Sequence, residues 1–124
     1  MILDASTLLA FLHDEPGGDD ARRALADGVI STVNWAEVVQ KALKRGADID
    51  GMQEEFEEYG LVFAPFTTKQ AELAARLWSK TRRHGLSLAD RACIALAMER
   101  QLPILTADRV WTELDLSVEI RPLR

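Results

Sequence analysis

Three aspartates are placed in this sequence where their carboxylates could act together on one cation. Asp4 ends the first apolar segment of the chain, and Asp108 follows another apolar segment, Pro103–Thr106. Asp90 lies in the first turn of a predicted helix. Carboxylates that lie close together repel one another, and a bound cation or a proton relieves that repulsion. Mg²⁺ suits such a site, and it would favour phosphodiester hydrolysis by polarising a phosphoryl oxygen and acidifying a bound water.

Each of these aspartates also has a structural explanation as a helix cap. Asp4 and Asp108 both precede predicted helices, where a carboxylate can accept a hydrogen bond from a free backbone N–H. Asp90 stands three residues after Ser87, in a pattern that resembles a capping box with Asp in place of Glu. The functional interpretation therefore depends on the joint placement of the three side chains.

Other polar residues beside these aspartates are candidates for binding substrate. Ser6 and Thr106 each lie two residues from an aspartate, so their hydroxyls could hydrogen-bond a carboxylate or a metal-bound water. Helix capping by Ser6 and strand propensity at Thr106 explain them as well. Arg91 and Arg109 each directly follow a candidate aspartate and could hold a substrate phosphate or pair with a nearby acid.

Glu37 is a different case, because helix periodicity places it opposite the apolar stripe of its own helix. Lys41 follows at the i+4 position, which is typical of an ion pair on a solvated helix surface. The residues alone therefore predict a surface pair here and no catalytic role.

The composition predicts a single globular domain over residues 1–124. The chain has 124 residues, of which 48% are hydrophobic. No apolar run approaches the roughly 18–20 residues that a membrane span needs, and no secretory signal is visible. We therefore expect a cytoplasmic protein with no membrane partner. Cys93, the only cysteine, lies in an apolar helical stretch and is predicted to be a buried thiol.

The net charge of −5 is opposite to the basic excess that nucleic-acid-binding proteins usually carry. A nuclease that collects carboxylates around cations can still be acidic, provided that local basic residues contact the substrate. Two basic clusters are present, Lys41 with Lys44 and Arg45, and residues 80–84. Favourable placement of cations at helix C-termini also explains both.

Predicted strands and helices alternate along the chain. Strands are predicted at about 1–4, 29–31, 61–64, 103–106 and 118–120, with helices at about 5–13, 19–26, 33–45, 48–59, 67–83, 87–98 and 109–113. This alternation predicts an α/β fold, with a parallel central sheet of about five strands and helices on both faces. Ligands of such sheets bind outside the carboxyl ends of the strands, where Asp4 and Asp108 are expected.

Four segments of the chain match the motifs of a known family in order and spacing. They are ILDASTLLA at 2–10, ISTVNWAEV at 30–38, LSLADRA at 86–92 and LPILTAD at 102–108. Any one of them is a weak match, but the four in sequence are specific and span nearly the whole chain. In these segments the protein resembles the PIN-domain family, and closely the VapC-type toxins of bacterial toxin–antitoxin pairs.

The resemblance implies a single PIN-like domain with endoribonuclease activity that depends on Mg²⁺ or Mn²⁺ and acts on structured RNA such as tRNA or rRNA. It also implies a toxin that is inhibited by a cognate antitoxin and that forms a homodimer. Carried over by position, the acidic quartet of catalytic metal ligands would be Asp4, Glu37, Asp90 and Asp108. Glu37 enters this set through the resemblance alone. Many relatives carry a further acid where Val110 and Trp111 stand here, so the number of ions stays open.

Two other functions remain to be separated from this one. A PIN-fold interaction module could keep the fold and the partner without catalysis. A phosphoacceptor signalling domain would also place an Asp at a strand end, but it would need adjacent acids after the first strand and a Lys after the last. Ala5 follows Asp4 here, and residues 121–124 contain no lysine.

Overall fold

The computed structural model describes all 124 residues and contains one parallel sheet of five short strands. The strands are β1 (Ile2–Leu3), β2 (Val29–Ser31), β3 (Val62–Ala64), β4 (Ile104–Thr106) and β5 (Ile120–Pro122). Their order across the sheet is β3-β2-β1-β4-β5, and every neighbouring pair is parallel. The first strand is therefore central, with Ile2 opposite Val29 on one side and Ile104 on the other.

Helices connect successive strands. The α-helices are α1 (Ala5–Leu12), α2 (Gly18–Ala24), α3 (Thr32–Lys44), α4 (Met52–Glu58), α5 (Thr68–Arg76), α6 (Trp78–Thr81) and α7 (Leu88–Arg100). Three 3₁₀ helices cover Leu25–Asp27, Arg82–His84 and Arg109–Glu113. None of the helices combines the length and the apolar character that a bilayer span requires.

The core lies on both faces of the sheet because successive side chains of a strand point to opposite faces. Ile2 enters one apolar cluster, which includes residues of α5 and α7, whereas Leu3 enters another with residues of α1, α3 and α4. Residues 92–97 of α7 are completely buried, as expected for a helix that is apolar all round. The predicted α/β fold with a parallel sheet between two helical layers is confirmed.

Some element boundaries differ from the sequence-based predictions. The acidic helix begins at Met52 and not near Asp48, because Gly51 adopts a left-handed conformation with φ of 79° and Asp48 accepts a hydrogen bond from the N–H of Asp50. The long helix predicted to end near residue 83 is divided at Leu77. There the hydroxyl of Thr81 donates to the carbonyl of Leu77, a bond that bends helices.

Candidate active site

The carboxyl ends of β1 and β4 are adjacent, and each is followed by an aspartate. The backbone N–H of Asp4 donates to the carbonyl of Leu105 over 3.4 Å, and the hydroxyl of Thr7 donates to the same carbonyl over 2.8 Å. Asp108 lies two residues after Thr106, which is the last residue of β4. The predicted placement of Asp4 and Asp108 at one edge of the sheet is therefore confirmed.

Asp4 is a buried carboxylate that accepts hydrogen bonds at both oxygens. Its side chain caps α1, and the residue is only 5% exposed. Oδ1 accepts from Ser6 Oγ at 2.7 Å and from the N–H of Thr7 at 3.2 Å. The Thr7 hydroxyl, whose one hydrogen is directed mainly to the Leu105 carbonyl, also lies 3.2 Å from Oδ1. Oδ2 accepts from Thr106 Oγ1 at 2.8 Å. These contacts hold the carboxylate in one orientation.

Burial raises the pKa of Asp4 to about 6, from an ordinary value of 3.8. The hydrogen bonds from Ser6, Thr106 and Thr7 oppose this shift because they stabilise the ionised form, but desolvation outweighs them. A group with these properties takes up a proton readily unless a cation stabilises its charge.

Ser6 and Thr106 connect the ends of the two central strands. Each hydroxyl gives its proton to Asp4 and accepts one backbone N–H, Ser6 from Ala107 at 2.9 Å and Thr106 from Asp108 at 3.0 Å. Of the contacts that the sequence allowed, the structure shows the one with a carboxylate, and substrate binding by Ser6 and Thr106 stays a prediction. Because each hydroxyl donates its hydrogen to Asp4, both residues help to orient that carboxylate.

Asp90 and Asp108 cap the helices that they precede or begin, as the capping interpretation predicted. Asp90 Oδ2 accepts from the N–H of Ser87 at 3.0 Å, and Ser87 Oγ accepts from the N–H of Asp90 at 3.2 Å. Asp108 Oδ1 accepts from the N–H of Val110 at 3.0 Å. In both aspartates the second carboxylate oxygen makes no hydrogen bond within the protein, so capping leaves one oxygen available to a ligand.

The surface pair predicted for Glu37 and Lys41 is wrong. Glu37 is half-buried and forms no ion pair with Lys41, because the first turns of α3 and α7 pack against each other. The amide nitrogen of Asn34 bridges these turns, donating to Glu37 Oε1 at 3.2 Å and to the Ala89 carbonyl at 2.9 Å. Burial raises the pKa of Glu37, and the negative charge of Asp90 raises it further.

Three of the acids lie within electrostatic range of the Cys93 thiol. The thiol is completely buried, as predicted, and burial raises its pKa well above the ordinary value. The charges of Asp4, Asp90 and Glu37 all raise it further. Asp4, Glu37 and Asp90 thus lie around the same buried thiol, and the Thr106 hydroxyl links Asp4 to the backbone of Asp108.

The carboxylate oxygens of this site suit a divalent cation that keeps several of its waters, because they do not surround an ion on all sides. No three His, Cys, Asp or Glu side chains lie close enough together to hold one ion directly. Mg²⁺ typically takes one or two protein carboxylates and retains several waters, and Mn²⁺ prefers the same oxygen ligands. The buried Oδ1 of Asn34 has no hydrogen-bond partner within the protein, so it is one unused oxygen acceptor beside these acids.

The two arginines predicted to hold substrate phosphate both donate to backbone carbonyls. Arg91 Nη1 lies 2.9 Å from the carbonyl oxygen of Ala74 in α5, and its Nε is buried without a partner. Arg109 is exposed, and its Nη1 lies 2.7 Å from the carbonyl oxygen of Arg124. Arg91 is half-buried and its Nη2 makes no hydrogen bond, so phosphate binding stays a prediction for both arginines.

Comparison with known proteins identifies the fold and a family. The family model for the PIN domain matches residues 1–116. A search of curated protein sequences found no significant match.

Several solved structures resemble this chain along nearly its whole length. A toxin–antitoxin complex from Klebsiella pneumoniae matches with a TM-score of 0.72 and 18% identity, covering 99% of this chain and 97% of that chain. FitAcB from Neisseria gonorrhoeae matches with a TM-score of 0.73 and 20% identity, covering 98% and 96%. DNA-bound VapBC from Salmonella typhimurium matches with a TM-score of 0.74 and 17% identity, covering 99% and 97%. At these identities the similarity establishes a shared fold.

Proposed function

Because the chain belongs to the PIN domain family, which its residues 1–116 match, we propose that it is a metal-dependent endoribonuclease that acts as a VapC-type toxin. The nuclease domain would span residues 1–124. The observation that carries this proposal is the buried carboxylate of Asp4, which accepts hydrogen bonds at both oxygens and lies at the end of β1, beside the strand that leads to Asp108.

In this proposal Asp4, Glu37, Asp90 and Asp108 would hold the ion, Mg²⁺ or Mn²⁺, in part through its coordinated waters, because no three of them can ligate it directly. When bound, such an ion polarises a phosphoryl oxygen and lowers the pKa of a coordinated water. Ser6 and Thr106 keep the Asp4 carboxylate oriented, and Asn34 holds Glu37 through Oε1. Oε2 of Glu37 makes no hydrogen bond and is left available to the ion or its waters.

The proposed partners are RNA, an antitoxin and a second copy of the chain. The solved structures described above include toxin–antitoxin complexes of the same fold, which supports an antitoxin partner. Exposed apolar side chains offer contact surface: Trp78 is 52% exposed and Leu88, in the first turn of α7, is 55% exposed. The proposed site of action is the cytoplasm, where tRNA and rRNA are found.

A catalytically inert PIN-fold interaction module is the alternative that one observation favours. The structure offers no three side chains that can ligate an ion directly, so the acids could serve as helix caps alone. A phosphoacceptor domain is disfavoured, because Asp4 is almost completely buried and both of its oxygens accept hydrogen bonds.

The proposal is tested by incubating the purified protein, free of antitoxin, with a panel of tRNAs and ribosomal RNA fragments in Mg²⁺, Mn²⁺ or EDTA. Asp4→Asn and Asp90→Asn are compared with Asp50→Asn, which changes an exposed loop aspartate whose side chain makes no hydrogen bond. We expect discrete cuts that require the metal and are lost only in the first two variants. Absence of metal-dependent cuts by the folded wild type would favour the inert module, and equal cutting by all variants would contradict the assigned site.

A further inference from the structure

A groove of about 490 Å³ opens beside the proposed active site, between α1 and the C-terminal half of α3. Its polar lining consists of Ser6, His13, Glu15, Lys41, Lys44 and Arg45. Leu9 is its one hydrophobic lining residue. Six of its seven lining residues therefore carry polar or charged groups that can contact a hydrated, charged occupant.

The charges in this groove are predominantly positive, although the whole protein has a net charge of −5. Lys41, Lys44 and Arg45 are all exposed, and none of them forms an ion pair within the protein. The only acid in the lining is Glu15, and its carboxylate lies 3.8 Å from the guanidinium of Arg124. Three cations are therefore free to contact an anionic ligand.

The groove adjoins the proposed active site at Ser6. Ser6 lines the groove and lies 2.7 Å, Oγ to Oδ1, from Asp4. An occupant that contacts the three cations of the groove is therefore separated from Asp4 by this one side chain.

We propose that this groove binds the phosphodiester backbone of the RNA strand that flanks the scissile bond. This inference rests on the proposed function, because it assigns a binding track to the same site. A cluster of carboxylates repels a polyanionic substrate, and cations beside it offset that repulsion by contacting neighbouring phosphates. The contacts are made to the backbone, so they contribute affinity without reading the base sequence.

Helix-dipole stabilisation explains only part of this arrangement. Lys41, Lys44 and Arg45 lie at the C-terminal end of α3, where cations are favourable in any helix. The dipole does not account for a groove between α3 and α1, nor for its position beside Ser6 and Asp4. Arg100 in the last turn of α7 satisfies the same dipole preference without lining this groove, so it provides a matched control.

The test is the binding of a fluorescein-labelled oligouridylate in EDTA, measured by fluorescence anisotropy at several salt concentrations. The groove variant is Lys41→Ala/Lys44→Ala/Arg45→Ala. The control variant, Lys69→Ala/Arg76→Ala/Arg100→Ala, removes the same charge from exposed positions of α5 and α7. A charge-conserving variant, Lys41→Arg/Lys44→Arg/Arg45→Lys, is expected to bind like the wild type. Circular dichroism and thermal melting verify that every variant is folded.

We expect the groove variant to bind at least about tenfold more weakly than the control variant at low salt. We also expect the slope of log K against log salt to become shallower by about 2, since each single-strand phosphate contact contributes about 0.7. Equal affinity and slope in the two variants would overturn the groove assignment. No binding by the wild type would overturn it too.

An acidic peptide is the other polyanion that could occupy this groove, and an oligoglutamate peptide of equal charge tests it. If the groove variant lost binding of the peptide but not of the RNA, the groove would be a peptide site and the proposal would be wrong. The cleavage assay decides the proposed function separately. If the wild type cuts RNA but the groove variant binds RNA as tightly as the control variant, only the groove inference is refuted.

Discussion

Thr106 Oγ1 donates a hydrogen bond of 2.8 Å to Asp4 Oδ2 across a separation of 102 residues in the chain. The same oxygen accepts the backbone N–H of Asp108 at 3.0 Å. One hydroxyl therefore orients a buried carboxylate at the end of β1 and the backbone of the aspartate that follows β4. This contact exists because β1 and β4 are neighbours in the sheet.

Replacing Thr106 with Val keeps the shape of the side chain but removes this hydroxyl. The Asp4 carboxylate loses the donor to Oδ2 and the N–H of Asp108 loses its acceptor, so we expect a loss of about 1–3 kcal/mol in the free energy of unfolding. The pKa of Asp4 should rise further, because the Thr106 hydrogen bond lowers it. RNA cleavage should fall by roughly 10–100-fold, as is usual when support for a metal ligand is removed.

Urea unfolding and initial cleavage rates measure these effects, with two variants as controls. Thr106→Ser retains the hydroxyl and should recover most of both losses. Thr112→Val removes an exposed hydroxyl that donates to the Arg109 carbonyl and should change stability by less than about 0.5 kcal/mol. A Thr106→Val protein as active and stable as Thr106→Ser would contradict a role for this hydroxyl.

The capping and catalytic roles of Asp90 can be separated with two substitutions. Asp90→Asn keeps an oxygen that can accept the N–H of Ser87 but removes the negative charge, so stability should change little while cleavage falls roughly 100-fold. Ser87→Ala removes the other half of the capping box and should cost about 1 kcal/mol, with activity nearly unchanged. Thermal unfolding and cleavage rates measure both. If the two variants lost stability and activity in the same proportion, Asp90 would be a cap only.

The positions of the aspartates could be predicted because each depends on local sequence. Asp4 and Asp108 follow apolar segments that form adjacent strands, and Asp90 lies in a recognisable capping box. Since the carboxyl ends of parallel strands meet at one edge, strand prediction alone placed two acids correctly.

Glu37 and Asn34 could not be placed in this way because their environment is set by packing between helices. Helical periodicity identifies the face that meets the sheet, but it does not show that α7 covers another face of α3. Asn34 shares the buried side of α3 with Val38, one turn later, and a polar residue in an apolar stripe was the available signal for it. The hydrogen bonds of Ser6 and Thr106 between the ends of β1 and β4 could not be predicted either. They depend on the order of the strands in the sheet, which residue spacing does not determine.

The raised pKa of Asp4 predicts a specific dependence of stability on pH in the absence of metal. Its value is about 6 in the folded protein against 3.8 ordinarily, so the folded state binds this proton more tightly than the unfolded chain. The Asp4 carboxyl therefore makes its full contribution to the free energy of unfolding below pH 3.8. This contribution, about 3 kcal/mol, is lost as the pH rises through 6. The pKa of Glu37 is raised too, which gives a contribution of the same sign.

Urea unfolding in EDTA between about pH 4 and pH 7 measures this effect. The difference between the wild type and Asp4→Asn isolates the contribution of Asp4, because the amide does not titrate. We expect the variant to gain stability relative to the wild type as the pH rises. A constant difference across this range would show that the Asp4 carboxyl titrates normally in the folded protein.

Addition of Mg²⁺ should reverse this destabilisation at neutral pH. A ligand that binds only the folded state adds about 2.7 kcal/mol to the free energy of unfolding at a hundred times its Kd. The carboxylates must be ionised to bind the ion, so the gain should shrink as the pH falls below about 6, where Asp4 is protonated. Thermal unfolding with increasing Mg²⁺ at two pH values measures this gain. It should be present in Asp50→Asn and absent in Asp4→Asn, whereas equal gains in both variants would indicate a general salt effect and favour the inert module.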